Sequence, residues 1–368
     1  MDIRDFLTPS CALLGLGEPT HREPVFSRLR NELFAQLVDH GFRSIALETD
    51  RVAALVVNDF VQQGTGNLDA AMNEGFTHDL SALEPNRQLV SWMREYNETR
   101  PPSERLAFHG CDAPTENTNA PSPRGYLEHV RDYLQLDGDI EIDIASITGD
   151  DERWSRTEAI LDPAQSPGAT PEAERLRVIA DDLVAALYAR APELIAATSR
   201  ARWLRARTHL TAGIGLLRYH NQAAEPLDRS ARISRLLASR DVLMAQNLFE
   251  IREIEARRGP TLVFAHNVHL RHKSTGPQDW YGAGAIVGSL ADDYVFVAGS
   301  LGRSEIHQIP EPEPDSYEGV LQGRFPNWGL TRAVEVTATR TRTNPFHGYF
   351  PLDQELLDAA EGVLHANG

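Results

Sequence analysis

The sequence predicts an α/β protein with a mainly parallel sheet flanked by helices and a large helical insertion. Short apolar runs that end abruptly at ionisable residues recur along the chain, as at 13–18 and 44–50. Such runs are typical of strands that are buried on both faces of a parallel sheet. Long helical patterns rich in Ala, Leu, Arg and Glu fill the middle of the chain and indicate a helical subdomain there.

The amino-terminal region is predicted to form a strand, a helix and a second strand. Apolar residues within 24–38 recur at helical spacing, and a proline occupies the first position, where helices tolerate it. A right-handed crossover then puts the two strands parallel in one sheet. Glu18, His21 and Glu48 are therefore expected at one rim of the sheet, where α/β proteins place their ligand sites.

The rest of the chain contains further helical patterns and further short apolar runs that predict strands. Further helices are predicted at 52–63 and 89–97, strands at 106–112, 261–270 and 294–299, an extended surface loop at 309–315, and a tail at 346–364 that ends in a short helix. The chain thus divides into a first part of the α/β core at 1–125, a helical insertion at 126–258 and a second part of the core at 259–368.

Composition narrows the class of partner. The chain has 368 residues, of which 41% are hydrophobic, and a formal net charge of −17. This acidic excess argues against binding to nucleic acid or to an anionic membrane, since both need clustered Lys and Arg. A small-molecule substrate is expected instead. Two cysteines and an amino terminus without signal-peptide features lead us to expect a cytoplasmic protein; the sequence does not indicate the oligomeric state.

His21 is the candidate general base, because an imidazole at a strand-to-helix turn can take a proton from water near neutral pH. Glu18 and Glu48 are carboxylates that could fix its tautomer and stabilise its protonated form, as the acidic member of a catalytic triad does. A lone histidine in such a turn is more often a polar loop residue. Two carboxylates at strand ends beside it favour the catalytic interpretation.

The histidines in His266-Asn267-Val268-His269 close another predicted strand and leave two alternatives open. With His21 and a glutamate they could bind a metal, but no compact zinc motif such as H-E-x-x-H is present. Otherwise they could donate protons or stabilise an oxyanion. Arg30, on the helix that leaves the site, could stabilise a developing negative charge. The absence of G-x-S-x-G, G-x-G-x-x-G and Walker motifs argues against serine hydrolases, dinucleotide-binding proteins and P-loop enzymes.

Six segments, in order, resemble those of the erythromycin esterase family. The first is Gly17-Glu18-Pro19-Thr20-His21, which contains the candidate base. Together the segments cover most of the chain from about residue 10 to residue 300, and they are specific as a set. The other five are Ala46–Asp50, Trp92–Asn97, Gly110–Asp112, Arg240–Asn247 and Ala265–His269.

The resemblance implies a hydrolase-like site. The histidine matching His21 would act as general base on water, and the glutamates matching Glu18 and Glu48 would orient it. The residues matching Arg30, His266 and His269 would complete the pocket. In the antibiotic-inactivating members of the family the bond cleaved is a macrolide lactone ester.

The chain departs from the family pattern at two positions. Arg22 stands where the family usually has glycine, directly after the histidine, and Phe264 stands where it often has tryptophan. A guanidinium at position 22 could select an anionic substrate. We group Arg22 with Arg30, His269 and Asp112 as predicted substrate-binding residues.

We therefore predict an esterase or lactone hydrolase, or an acyl-transfer enzyme, in which His21 acts with Glu18, Glu48 and His266. No metal or other cofactor is assigned. The expected substrate is a natural product such as a macrolide, which connects the chain with antibiotic resistance. The alternatives are a metal-assisted hydrolase that uses His21, His266 and His269, and a small-molecule-binding protein without turnover.

Overall fold

The computed structural model describes residues 1–116, 118–135, 143–272, 280–343 and 348–368. This part of the chain forms two compact units. The first comprises Met1–Thr49, Ala53–Cys111 and Met244–Gly368, and the second comprises Asp50–Val52 and Asp112–Leu243. The division into three parts at residues 125 and 258 stays a prediction.

A seven-stranded sheet runs through the chain. The strands are β1 (Leu13–Glu18), β2 (Ser44–Asp50), β3 (Ala107–Asp112), β4 (Thr261–His266), β5 (Tyr294–Leu301), β6 (Trp328–Arg332) and β7 (Gly362–Ala366). Their order in the sheet is β3-β2-β4-β1-β5-β7-β6. The pairs β2–β4, β4–β1, β1–β5 and β5–β7 are parallel, whereas β6 is antiparallel to β7. The predicted class, α/β with a mainly parallel sheet, is confirmed.

Sixteen α-helices are found in the described residues. Those before the second unit are α1 (Pro24–Val38), α2 (Ala54–Gln63), α3 (Leu68–Gly75) and α4 (Glu84–Glu98). The next are α5 (Arg124–Leu134), α6 (Ile144–Thr148), α7 (Glu152–Ser155), α8 (Thr157–Leu161), α9 (Pro171–Ala189), α10 (Ala191–Ala197), α11 (Arg200–Ala223) and α12 (Arg229–Glu255). The last are α13 (Asn267–Leu270), α14 (Ala283–Leu290), α15 (Tyr317–Arg324) and α16 (Gln354–Asp358). Short 3-10 helices lie at Ile3–Phe6, Leu80–Ala82, Pro163–Gln165, Pro167–Ala169 and Ala333–Glu335.

The sheet of the first unit is buried on both faces, because alternate residues of each strand enter two different cores. In β4, Leu262 and Phe264 pack into the core that contains α1, α2 and α4. Val263 and Ala265 pack into the core on the other face, with residues of α14, α15 and α16. This arrangement explains why the strands read as continuous apolar runs in the sequence.

Helix α1 begins and ends as its sequence predicts. Pro24 occupies the first turn, and the Glu23 carboxylate accepts a hydrogen bond from the Val25 N–H at 3.5 Å. Beyond the helix, Gly41 adopts a φ of 94°, in the left-handed region that favours glycine. The helix therefore carries the chain from the end of β1 back to the start of β2.

Strands β1 and β2 belong to one sheet, as predicted, but they are not neighbours because β4 lies between them. Glu18 of β1 is in register with His266 of β4, and Leu47 of β2 is in register with Phe264. Glu48 therefore comes level with the residue before His266. The insertion of β4 brings the two glutamates and a histidine to one edge of the sheet.

The prediction that the tail ends in a short helix is wrong. The short helix α16 is followed by β7, whose five residues are all buried between β5 and β6. A five-residue run that contains Gly362 and His365 shows neither alternation nor a long apolar pattern, so it carries no strand signal on its own. Residues 344–347, where the predicted tail element begins, lie outside the described residues.

The second unit has a helical core of its own. Apolar residues of α5, α6, α9, α10 and α11 form it, together with the fully buried Trp154. The indole N–H of Trp154 donates to the Thr148 carbonyl at 3.1 Å, and that of Trp203 donates to the Leu187 carbonyl at 3.0 Å, so both large rings are buried without leaving a donor unpaired. In the residues that the structure describes, no helix combines the length and apolarity needed to cross a bilayer.

Candidate active site

Glu18 and His21 form a hydrogen-bonded pair at the end of β1. Glu18 Oε1 lies 2.8 Å from His21 Nδ1. The Glu18 side chain is only 6% exposed, whereas that of His21 is 45% exposed. Burial raises the pKa of Glu18, while the hydrogen bond from His21 and the charge of Arg30 oppose this rise. When Glu18 is ionised it can only accept a hydrogen bond, and in that state Nδ1 would carry the ring proton and Nε2 would be the basic atom.

Glu48 lies on the opposite side of the imidazole. Its Oε1 is 3.7 Å from His21 Nε2 and 3.5 Å from His269 Nε2. Its Oε2 accepts a hydrogen bond from the backbone N–H of His266 at 2.7 Å. The carboxylate is thus held by β4 and faces two imidazoles. Glu18 touches the nitrogen that orients His21, whereas Glu48 faces the nitrogen that can act as a base.

His266 is buried and its ring is uncharged, and the ring forms one wall of the site. Its Nδ1 accepts a hydrogen bond from the Val268 N–H at 3.2 Å and so caps α13, which leaves the proton on Nε2. Burial lowers the pKa of His266 to about 3. Its ring centroid lies 5.1 Å from that of His21 and 4.9 Å from that of Phe350. Phe350, which the sequence analysis did not identify, is tied to the turn after β1 by its N–H, which donates to the Pro19 carbonyl at 2.9 Å.

Asn267 joins the strands on either side of β1, and the sequence analysis missed this role too. Its Nδ2 donates to the Gly299 carbonyl and its Oδ1 accepts from the Gly299 N–H, both at 2.9 Å. The side chain passes over Gly17, where an added Cβ would lie 2.0 Å from the Asn267 oxygen. The glycine before Glu18 is therefore needed for space. The signal in the sequence was an asparagine directly after a strand end.

Gly17→Ala is expected to destabilise the first unit by about 2–4 kcal/mol, because the methyl group would displace the Asn267 amide and leave buried polar groups unpaired. Urea unfolding measures the change. Gly323→Ala is the matched control, since an added Cβ in α15 meets nothing within 4 Å and alanine favours a helix. Equal unfolding midpoints for Gly17→Ala and the unsubstituted protein would contradict this account.

Arg30 is buried within the first unit. It is 1% exposed, and its guanidinium donates to the side-chain oxygens of Asn31 and Asn86 at 2.7 and 2.9 Å. It also stacks over the Phe264 ring at 5.0 Å. Burial lowers the pKa of Arg30 to about 9, and the charge of Glu18 opposes this. In this position Arg30 acts on Glu18 electrostatically, and a direct contact with substrate stays a prediction.

Arg22 is exposed next to His21 and is paired with Asp79. Its guanidinium contacts the Asp79 carboxylate at 2.6 Å and the His78 carbonyl at 3.3 Å. Arg22, His78 and Asp79 all have positive φ values, of 62°, 57° and 56°. A glycine in place of Arg22 would adopt this conformation without strain. Non-glycine residues in this region of φ are uncommon and tend to cluster at functional sites.

Asp112 belongs to the second unit, where Arg240 binds it in a two-pronged ion pair. Arg240 Nε donates to one carboxylate oxygen at 2.8 Å and Nη2 donates to the other at 2.6 Å. Asp112 is fully buried, so this pairing satisfies a charge that would otherwise be costly. A contact between Asp112 and substrate stays a prediction.

Several of the site residues are hydrogen-bonded within the protein. Glu18 Oε1 and His21 Nδ1 are bonded to one another, and His266 Nδ1 accepts from the backbone. Across the described ranges, no group of three or more His, Cys, Asp or Glu side chains is arranged so that it could hold a metal ion. The donor set around His21 suits acid–base chemistry.

Comparison with known proteins identifies the family. The model of the erythromycin esterase family matches residues 37–365. The chain belongs to the erythromycin esterase family. This membership supports an ester hydrolase chemistry. The match spans most of both units and includes Glu48, His266 and His269.

Solved structures share the fold at low sequence identity. A protein of Bacillus cereus is 16% identical, with a TM-score of 0.73 over 97% of this chain and 88% of its own. A structure described as a succinoglycan biosynthesis protein is 18% identical, with a TM-score of 0.72 over 99% and 89%. A mutant of the erythromycin esterase EreC, in an open conformation, is 16% identical, with a TM-score of 0.67 over 99% and 92%. No curated protein matches the chain.

Proposed function

We propose that this member of the erythromycin esterase family hydrolyses an ester or lactone, with His21 as the general base that activates water. The observation that carries the proposal is the Glu18–His21 pair: a buried carboxylate 2.8 Å from Nδ1 of an imidazole that is itself 45% exposed. This geometry fixes one nitrogen and leaves the other for the reaction.

The steps follow from the two nitrogens of His21. Nε2 takes a proton from water as the water oxygen attacks the acyl carbon, and the imidazolium so formed is stabilised by ionised Glu18 at Nδ1. When the carbon–oxygen bond of the ester breaks, the same nitrogen returns the proton to the departing alkoxide. Arg30 assists electrostatically, because its positive charge favours the ionised form of Glu18.

Glu48 is proposed to act on the water. Its Oε1 is 3.7 Å from His21 Nε2, so a water molecule bonded to that nitrogen would also lie near the carboxylate. Glu48 would then orient the second water proton, and its negative charge would favour the imidazolium. The neutral His266 ring, beside His21, adds no competing positive charge.

The test is hydrolysis of a panel of lactones and esters, with macrolides among them, in water enriched in oxygen-18. Hydrolysis by a water nucleophile puts one labelled oxygen into the product acid, which mass spectrometry detects. The absence of turnover on every compound, together with tight binding of one of them, would favour the alternative of a binding protein. Label-free product would indicate transfer to another nucleophile.

Arg22 is proposed to set the charge preference of the site. Because the Asp79 carboxylate already occupies its guanidinium, an anionic substrate must compete with Asp79. Asp79→Asn is therefore expected to raise the ratio of kcat/KM for an anionic ester to that for its neutral counterpart by about two- to fivefold, the range for an exposed ion pair. Paired initial-rate measurements give this ratio.

The matched control is Asp69→Asn, which breaks the exposed ion pair with Arg87. It is expected to leave the ratio unchanged, while Arg22→Gly should lower it. If Asp79→Asn and Asp69→Asn give the same ratio, Arg22 does not select for charge.

A further inference from the structure

The second unit contains a cavity of about 250 Å³. Its walls come from α8, from α11, from the first turns of α12 and from the segment around Thr115. One side is apolar, and two of its residues are exposed large aliphatic side chains, at 41% for Leu161 and 42% for Ile233. Ile160, Leu236 and Leu237 complete that side. Exposed apolar side chains that line a concavity are typical of ligand sites.

The other side of the cavity presents polar groups without protein partners. Within the residues that the structure describes, the hydroxyls of Tyr219 and Thr115 and the guanidinium of Arg229 make no hydrogen bond or ion pair. Tyr219 and Thr115 are each only 7% exposed. Hydroxyls on the wall of a cavity can bind the hydrogen-bonding group of a ligand. Burial raises the pKa of Tyr219 to about 12, and its hydroxyl can donate at neutral pH as that of any tyrosine can.

The charges that line the cavity favour an anion. Two guanidiniums, of Arg229 and Arg240, stand against one carboxylate, that of Glu116, in a chain whose net charge is −17. Arg240 is partly neutralised by Asp112, but Arg229 has no such counterion. We propose that this cavity is a binding site for a small monocarboxylic acid with an apolar chain, whose carboxylate contacts Arg229, Tyr219 and Thr115.

The size of the cavity limits the chain length. A volume of about 250 Å³ lies below the range of roughly 300–1,000 Å³ that is usual for drug-sized ligands. The ligand is therefore expected to be smaller than a typical drug-sized molecule. A medium-chain fatty acid such as octanoic acid meets both requirements. The proposal concerns the second unit alone and does not depend on ester hydrolysis.

Titration calorimetry of the full-length protein with octanoate tests the site. We expect saturable binding at one site, roughly tenfold weaker binding of hexanoate because two methylene groups are lost, and weaker binding of octanol and of octylammonium. Equal or tighter binding of octylammonium would overturn the assignment of an anion site. Absence of saturable octanoate binding would overturn the proposal altogether.

Variants on one helix locate the site. Ile233→Trp fills the cavity and should abolish octanoate binding. Val242→Trp changes a residue of the same helix that is similarly exposed, at 45%, and does not line the cavity, so binding should persist. Equal loss in both variants would overturn the location.

Substitutions of arginine test the proposed contact between Arg229 and the carboxylate of the ligand. Arg229→Gln should weaken octanoate binding about tenfold, whereas Arg175→Gln, on exposed surface of the same unit, should not. His21→Ala should bind octanoate normally, which separates this site from the proposed hydrolase function. Octanoate affinity that is insensitive to Arg229→Gln would contradict the proposed contact.

Discussion

His21→Ala is expected to reduce turnover by roughly a hundredfold to ten-thousandfold and to leave the fold intact. The loss corresponds to the usual contribution of a general base. The fold should persist because the side chain is 45% exposed and contributes little to the core. Initial rates on the best substrate of the panel, with circular dichroism of the same samples, measure the two effects separately.

His40→Ala is the control for His21→Ala. His40 is an exposed histidine of the same unit whose ring contacts Arg4, and its loss should leave the rate unchanged. Near-normal turnover in a folded His21→Ala protein would refute the mechanism. Attention would then move to His266 and to His269, of which His269 also faces Glu48.

Glu18→Gln should lower turnover by a similar factor, roughly a hundredfold to ten-thousandfold, because it removes the charge that stabilises the imidazolium and lets the amide favour the wrong tautomer. Without the carboxylate His21 becomes less basic. The acidic limb of the pH–rate profile should therefore move to lower pH. A residue that only supports the fold would lower the amount of active protein without moving this limb.

A neighbouring glutamate provides the comparison for Glu18. Glu23 is 2% exposed and lies in the same turn, but it contacts Ser304 and not His21. Glu23→Gln should retain most of the activity. The double variant of His21→Ala with Glu18→Gln should be little worse than the worse single variant, since the two residues act as one unit. Multiplied losses would mean that they act independently.

Local patterns in the sequence were sufficient for much of the sheet and for the pair of Glu18 and His21. The strands near residues 13, 44, 106, 261 and 294 were predicted because each is a short apolar run with an ionisable end. The pair was predicted because its members are three residues apart and follow such a run. These features depend on neighbours along the chain, which one sequence displays.

The features that were missed depend on partners distant in sequence. Nothing in β1 or β2 indicates that β4 lies between them, and the Asn267 bridge depends on Gly299 and Gly17. Arg30 shows that a local signal can also be overlooked. It lies four residues after Phe26 and four before Phe34, in the middle of the buried face of α1, and this spacing predicts burial of the guanidinium.

The contacts of the site join residues that are either close together or far apart in the sequence. This difference determines which contacts can form early in folding and which form late. The contact between Glu18 and His21 closes a loop of three residues, so its entropic cost is small and the turn can form it early. The bond from the His266 amide to Glu48 joins residues 218 apart, and it can form only after the second unit has been synthesised and β4 has entered the sheet. A ribosome-bound chain that ends before β4 would therefore carry the orienting pair without the wall that surrounds it. We therefore expect the proposed hydrolytic activity only after the last third of the polypeptide has folded.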